Sequence, residues 1–192
     1  ERGLNPANSI WLWGEGRKPL LPSFKESYGK KGSVISAVDL VKGIGICAGL
    51  RSIDVPGATG NIDTNFLGKA EAALAELDLG QDFVYIHIEA PDECGHRKEI
   101  ENKVRSIELI DELVIDTLLK GLEGYTDYRI MILPDHPTPL ALRTHTSEPV
   151  PYTIYQKSNE SHGAITGYDE LQAAETGVFI QEGHRLMRHF LA

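Results

Sequence analysis

Short apolar runs alternate with helical segments along this sequence, and that alternation restricts the fold more than any other feature. The runs at residues 83–88, 130–133 and 152–155 are rich in β-branched and aromatic residues, as buried strands are. Residues 98–119 place apolar side chains at helical spacing. Strands that alternate with helices predict an α/β fold with a mainly parallel sheet flanked by helices. Ligands in such folds bind at the carboxyl ends of the strands.

Composition restricts the class of protein. The chain has 192 residues, of which 41% are hydrophobic and 24% charged, as in an ordinary globular domain. A net charge of -9 argues against nucleic acid and against an anionic membrane as the main partner. The two cysteines, Cys47 and Cys94, supply no disulfide framework, which favours reduced thiols and a cytoplasmic location. No apolar run reaches the roughly 20 residues that a membrane span needs.

Three short motifs place metal-ligating side chains beside the predicted strands. Asp92 and His96 follow the strand at 83–88, Asp135 and His136 follow the strand at 130–133, and His145 precedes the strand at 152–155. Carboxylate and imidazole together suit Mn, Zn, Fe or Co better than Ca. Each motif taken alone also fits a loop histidine or a capping aspartate, whereas all three at strand ends favour a metal site.

The spacing of these residues fits two cations. Asp92, His96 and His145 can form one three-ligand site, and Asp135 with His136 can supply half of a second. Two metal ions about 3.5–4 Å apart are a known arrangement for phosphoryl transfer, because they neutralise the phosphate and activate the nucleophile or the leaving group. The residues therefore predict a two-metal site for a phosphate compound.

Longer segments carry a resemblance to one family. They are residues 8–16, 34–45, 55–60, 63–65 and 89–96, together with Asp135-His136 and His145-Thr146. These segments resemble the cofactor-independent (2,3-bisphosphoglycerate-independent) phosphoglycerate mutases of the archaeal type, which belong to the alkaline-phosphatase superfamily. The resemblance covers most of the chain and fades after about Gln156.

The resemblance implies a fold, an activity and a set of ligands. It implies an alkaline-phosphatase-like fold and the interconversion of 2- and 3-phosphoglycerate, in glycolysis and gluconeogenesis, through a phosphoserine. It implies that Asp92, His96 and His145 bind one cation and that Asp135 and His136 bind the other. Mn²⁺ is the first expectation, with Zn²⁺, Co²⁺ or Mg²⁺ as alternatives.

The chain departs from the family at its beginning. The family opens with a strand that carries a metal-binding aspartate, followed by the nucleophilic serine and an inserted cap domain, and none of these is recognisable here. Ser9, Ser33 and Ser36 lie in other motifs. Residues 1–192 are therefore expected to form the C-terminal part of the catalytic domain, with the N-terminal part and the cap as partners. The chain by itself is expected to be inactive.

Two further residues and two other functions stay open. Lys42 is a candidate catalytic or phosphate-binding residue, and Arg17 is a candidate for substrate binding, although a solvated surface role fits each of them as well. The alternative functions are a metal-dependent phosphatase or phosphodiesterase of the same superfamily, and a non-catalytic metal-binding module. His87, within a predicted strand, is expected to be a packed or hydrogen-bonded core histidine.

Overall fold

A computed structural model describes residues 6, 8–12, 14–17, 19–161, 163 and 165–192. Its strands are β1 (Gly32–Ile35), β2 (Arg51–Ile53), β3 (Phe83–Ile86), β4 (Arg129–Ile132) and β5 (Thr153–Gln156). Its α-helices are α1 (Phe24–Tyr28), α2 (Asp39–Cys47), α3 (Phe66–Asp78), α4 (Ala90–Arg97), α5 (Ile100–Leu109), α6 (Asp116–Gly121), α7 (Glu170–Glu175) and α8 (Leu186–Leu191). A π-helical segment, Ile110–Ile115, joins α5 to α6, and short 3₁₀ turns lie at Lys157–Asn159 and Gly183–Arg185.

The first sheet is parallel and confirms the α/β prediction. Its strand order is β2-β1-β3, with Val34 of β1 opposite Ser52 of β2 and Tyr85 of β3. The central strand β1 is buried along its whole length, as a parallel strand covered on both faces is expected to be. All three strands point the same way, so their carboxyl ends form one edge of the sheet.

The second sheet departs from a single parallel arrangement. The predicted strand at 152–155 forms β5, which pairs antiparallel with β4, so that Ile130 lies opposite Tyr155. Among the described residues, β3 pairs only with β1 and β4 pairs only with β5. The N–H groups of Phe83 and His87 donate to carbonyls on the β1 side. Because N–H directions alternate along a strand, those of Val84 and Ile86 face the open edge of β3.

One hydrophobic core connects the parallel sheet with the helices. Ile35 of β1, Phe66 and Ala70 of α3, and Val114 and Leu118 beyond α5 are all buried in one cluster. Side chains of β3 and β4, among them Ile86 and Ile130, pack against that cluster. The two sheets therefore share one core although no strand joins them among the described residues. The first turn of α3 is capped by Asn65, whose side chain accepts the N–H of Gly68.

The predicted long amphipathic helix is present, but its apolar side chains are buried over only part of its length. Val114 and Leu118 are buried, whereas Ile100, Val104 and Ile107 of α5 are 58%, 53% and 55% exposed. The reason is the π-helical segment, which widens one turn and rotates the apolar face partway along the helix. None of the described helices is both long enough and apolar enough to span a membrane.

Candidate metal centre

Helix α4 presents two of the predicted ligands. Pro91 and Gly95 favour a loop after β3, but this prediction from their residue types is wrong, because Ala90–Arg97 form helix α4. Pro91 occupies the first turn of α4, where a missing N–H costs nothing, and Lys98 ends the helix in the left-handed conformation. As a result, Asp92 and His96 lie one turn apart on the same face of α4.

The connection between β4 and β5 presents the other three. Asp135 and His136 follow β4, and His145 lies farther along the same connection. Three contacts hold this segment together. The N–H of Thr146 donates to the carbonyl of Pro137 at 3.1 Å, and the Tyr168 hydroxyl lies 3.2 Å from the carbonyl oxygens of both Ile132 and Pro151. The segment that bears the ligands is therefore closed where it leaves the sheet.

Asp92, His96 and His145 converge through their ligand atoms. The Nε2 atoms of His96 and His145 are 3.0 Å apart. Asp92 places Oδ2 at 3.3 Å from Nε2 of His96 and Oδ1 at 3.3 Å from Nε2 of His145. Ligand atoms bound about 2.1 Å from one tetrahedral cation lie roughly 3.3 Å from each other. The spacing of these atoms thus fits the coordination shell of a transition metal.

His96 is held in the tautomer that metal binding needs. Its Nδ1 atom lies 3.0 Å from the carbonyl oxygen of Arg143. A carbonyl can only accept, so Nδ1 of His96 carries a hydrogen and Nε2 of the neutral ring keeps its lone pair. Arg143 turns its carbonyl to this position in the left-handed region, at φ 55°.

His136 and Asp135 extend the cluster. Oδ2 of Asp135 lies 3.3 Å from Nε2 of His136. Ligand atoms of Asp92, His136 and His145 all lie within 4.8 Å of one another, and the rings of His136 and His145 are 3.7 Å apart between centroids. The structure therefore brings all five predicted ligands into one cluster in which His136 adjoins both of its parts. Their role as metal ligands, and their division into three and two, stay predictions.

Two further charged groups, Lys69 and Glu89, lie near the cluster and are not among the residues that the sequence predicted. Lys69 of α3 is 1% exposed and donates to the carbonyl oxygen of His87 at 3.0 Å. Burial lowers the pKa of Lys69 to about 8, against an opposing effect of Glu89. Burial, together with Glu93 and Asp92, raises the pKa of Glu89. The residue types of the alanine-rich helix α3 do not indicate a buried ammonium. The available signal is helical spacing, because Lys69 comes three residues after Phe66 and four before Ala73, which are both buried.

His87 is hydrogen-bonded at the end of β3. Its Nδ1 atom lies 3.1 Å from the hydroxyl of Ser36, which follows β1. Burial lowers the pKa of His87, against the effect of Asp135. The expected core histidine thus lies at the carboxyl edge of the sheet, near the charges of the metal cluster.

Lys42 and Arg17 take no part in the contacts described above. Nζ of Lys42, on α2, forms an ion pair at 2.7 Å with Asp54, which directly follows the edge strand β2. Arg17 lies in an exposed segment before α1. Their functional roles stay predictions that the described contacts do not support.

The family is decided by a match that spans almost the whole chain. Residues 2–191 match the family described as the metalloenzyme superfamily. The chain belongs to the metalloenzyme superfamily. The cluster of carboxylates and imidazoles is the feature of this chain that suits such a family.

Curated relatives are identical to this chain at about half of the aligned positions. A probable 2,3-bisphosphoglycerate-independent phosphoglycerate mutase of Geobacter sulfurreducens is 50% identical over 191 residues, which are 100% of this chain and 48% of that protein. A 2,3-bisphosphoglycerate-independent phosphoglycerate mutase of Methanothrix thermoacetophila is 52% identical over 99% of this chain and 48% of its own length. The chain therefore spans about half the length of the curated relatives it matches.

Solved structures agree with the fold. The PH0037 protein from Pyrococcus horikoshii is 30% identical, with a TM-score of 0.79 over 88% of this chain and 50% of that one. A cofactor-independent phosphoglycerate mutase from Thermoplasma acidophilum is 23% identical, with a TM-score of 0.62 over 90% of this chain and 39% of its own. The second likeness concerns the fold alone.

Proposed function

We propose that this chain supplies the metal-binding part of a phosphoglycerate mutase that interconverts 2- and 3-phosphoglycerate through a phosphoserine. The observation that supports the proposal most is the convergence of Asp92, His96 and His145, with ligand atoms 3.0–3.3 Å apart. The names of the relatives, at 50% and 52% identity, support phosphoglycerates as the substrates. The alternative is hydrolysis of a phosphate ester, for which the same metal centre would serve.

The donor set fits divalent transition metals. Three imidazoles and two carboxylates favour Mn²⁺, Zn²⁺ or Co²⁺ over Ca²⁺, which prefers oxygen alone, and we propose Mn²⁺ first. Asp92, His96 and His145 would hold one cation, and Asp135 with His136 would hold the other. Bound there, such cations supply charge neutralisation at the phosphate and activation of a hydroxyl group.

The residues of this chain orient that chemistry. His96 is fixed through Nδ1 by the carbonyl of Arg143, so its Nε2 lone pair is directed at the cluster. Lys69 places a buried amine beside Glu89 and donates to the carbonyl oxygen of His87, which follows β3. The nucleophilic serine stays outside the proposal for this chain, because Ser9, Ser33 and Ser36 lie outside the family motif that carries it, and Ser33 is also buried and bonded to Glu76.

We further propose that residues 1–192 form the C-terminal part of the catalytic domain and that the remaining half of a longer enzyme completes it. The curated relatives are about twice as long as this chain. The open edges of β3 and β4 lie beside the same core and can accept a further strand. A cytoplasmic location belongs to the same proposal and is supported by the unpaired Cys47 and Cys94. A role in glycolysis belongs to it as well.

The test uses the full-length gene product that contains this chain. With Mn²⁺ present, ³¹P NMR should show 3-phosphoglycerate converting to 2-phosphoglycerate without added bisphosphoglycerate, and a generic phosphate ester should stay largely intact. His145→Ala should abolish the conversion, whereas Asp111→Asn, at an exposed helical position, should preserve it. Hydrolysis of both compounds without conversion would support the phosphatase alternative and overturn the proposed mutase.

A further inference from the structure

Thr138 touches both parts of the metal cluster. It lies between Pro137 and Pro139 and is only 5% exposed. Its hydroxyl oxygen is hydrogen-bonded to Oδ1 of Asp92 and lies 3.3 Å from Nδ1 of His136. Asp92 and His136 are predicted to serve different cations, so a single hydroxyl group contacts one ligand of each.

The hydrogen atoms of these three groups can be assigned. A threonine hydroxyl has one hydrogen to donate, and an ionised carboxylate only accepts. Thr138 therefore donates to Asp92, and its oxygen accepts the Nδ1 hydrogen of His136. In the neutral ring of His136 the lone pair is then on Nε2. That atom faces Oδ2 of Asp135 at 3.3 Å, so two electron-rich atoms lie at the spacing that a shared cation accommodates.

Thr138 is itself fixed from the other side of the site. Nζ of Lys103 on α5 donates to the carbonyl oxygen of Thr138 at 2.8 Å. Gly95 of α4 packs so closely that an added Cβ would lie 2.7 Å from the same oxygen and 2.9 Å from Cγ2 of Thr138. The position of the hydroxyl is thus determined by two helices rather than by the loop alone.

We propose that Thr138 is a positioning residue that couples the two cation positions, by orienting the Asp92 carboxylate and by fixing His136 in the tautomer with a free Nε2. This inference rests on the metal centre of the proposed function. Partners of this kind behind metal ligands typically contribute about 10–100-fold in metal affinity. Because one hydroxyl serves both ligands, its loss weakens both cation positions together.

Metal binding tests the coupling. Zn²⁺ and, separately, Mn²⁺ are titrated into the full-length gene product and its variants in competition with a chromophoric chelator. Thr138→Val should weaken both of the binding steps by about 10-fold or more, while Thr138→Ser, which keeps the hydroxyl, should stay within about 3-fold of the unsubstituted protein. Thr153→Val, at an exposed position of β5, is the matched control and should change neither step.

The outcomes separate this inference from the proposed function. If the unsubstituted protein binds neither ion, the metal centre and the role of Thr138 fail together. If it binds both ions and Thr138→Val binds them equally well, only the role of Thr138 fails. Weakening of one step alone would overturn the coupling.

The tautomer gives a readout that does not depend on the folding of the valine variant. Long-range ¹H–¹⁵N spectra of the metal-free, unsubstituted protein should show His136 protonated at Nδ1 in its neutral form, and Thr138→Ser should preserve that pattern. Protonation of neutral His136 at Nε2 would overturn the proposal.

Discussion

The Nε2 atoms of His96 and His145 lie 3.0 Å apart although the two residues are 49 positions apart in the sequence. One belongs to a helix that follows a parallel strand, and the other to the connection between two antiparallel strands. Helix α4 contributes Asp92 and His96 to the cluster, and the β4–β5 connection contributes the other three side chains. The proposed metal centre thus depends on how α4 packs against the β4–β5 connection, and several measurable consequences follow from that packing.

Removal of one ligand from either segment should prevent tight metal binding. Asp92→Asn and His145→Ala each delete a charge or a lone pair that faces the cluster, so each should reduce the affinity for Zn²⁺ by more than the roughly 10–100-fold that loss of an outer partner costs. Isothermal titration calorimetry measures this change. Asp111→Asn removes an exposed carboxylate and should leave the affinity unchanged.

A bound cation should stabilise the fold, since it joins α4 to the β4–β5 connection. An ion at about 100 times its dissociation constant adds about 2.7 kcal/mol to the free energy of unfolding. Thermal unfolding should therefore shift upwards on addition of Mn²⁺ and return to its original midpoint after chelation. His145→Ala should unfold at the same temperature with and without the ion, and a full shift in that variant would contradict the site.

Gly95→Ala should destabilise the protein even though alanine favours helices. The added methyl group would collide with the carbonyl oxygen of Thr138 at 2.7 Å, and overpacking of this kind costs about 1–3 kcal/mol. Gly43→Ala, on α2, meets nothing within 4 Å outside its own helix and should instead stabilise by about 0.5–1 kcal/mol. Urea unfolding of the two variants provides the comparison, and equal effects would argue against the close packing at Gly95.

Lys69 should make stability depend on pH in the alkaline range. Its pKa is about 8 in the folded protein and 10.5 as a free side chain, so the unfolded chain binds more protons between these values. The free energy of unfolding should therefore rise with pH from 8 to 10.5 relative to Lys69→Met, by at most about 1.4 kcal/mol per pH unit. Lys30→Met, at an exposed position, should keep the pH dependence of the unsubstituted protein. A constant difference between Lys69→Met and the unsubstituted protein would refute the burial of this charge.

Hydrogen exchange should reveal the open edge of β3. The N–H groups of Val84 and Ile86 face away from β1, so in the 192-residue chain alone they should exchange faster than that of Tyr85, which faces β1. In the full-length gene product an added strand should protect Val84 and Ile86 as well. Unchanged fast exchange in the longer protein would show that its other half leaves this edge open.

The sequence predicted that the five candidate ligands come together better than it predicted the elements that carry them. Asp92, Asp135 and His136 could be found because metal-binding residue types follow apolar strands, and strand ends gather ligands in α/β folds. The helical state of residues 90–97 was missed, since Pro91 and Gly95 are helix breakers in an interior position. Pro91 instead lies in the first turn of the helix, and Gly95 leaves space for Thr138. The first depends on where the helix begins and the second on tertiary packing, and residue type alone indicates neither.

Groups that support the ligands were the least predictable. Thr138 between two prolines has the composition of a turn, and Lys103 has that of a solvated helix face. Their importance depends on contacts over 46 positions, from Thr138 to Asp92, and over 35, from Lys103 to Thr138. Local periodicity carries no information about such contacts. The antiparallel β4–β5 pair was missed for the same reason, because strand direction depends on the path of the connection between the strands.

The π-helical turn at Ile110–Ile115 separates two parts of one continuous helix, α5 and α6, whose apolar faces have different environments. Val114, within it, and Leu118, after it, are buried in the core. Before the π-helical turn, α5 exposes an apolar face to solvent, formed by Ile100, Val104 and Ile107. Excision of one residue from the wide turn would bring both lengths into phase and swing one of the two surfaces by about 100°. The additional residue in the π-helical turn thus allows the apolar faces before and after it to point in different directions on one continuous helix.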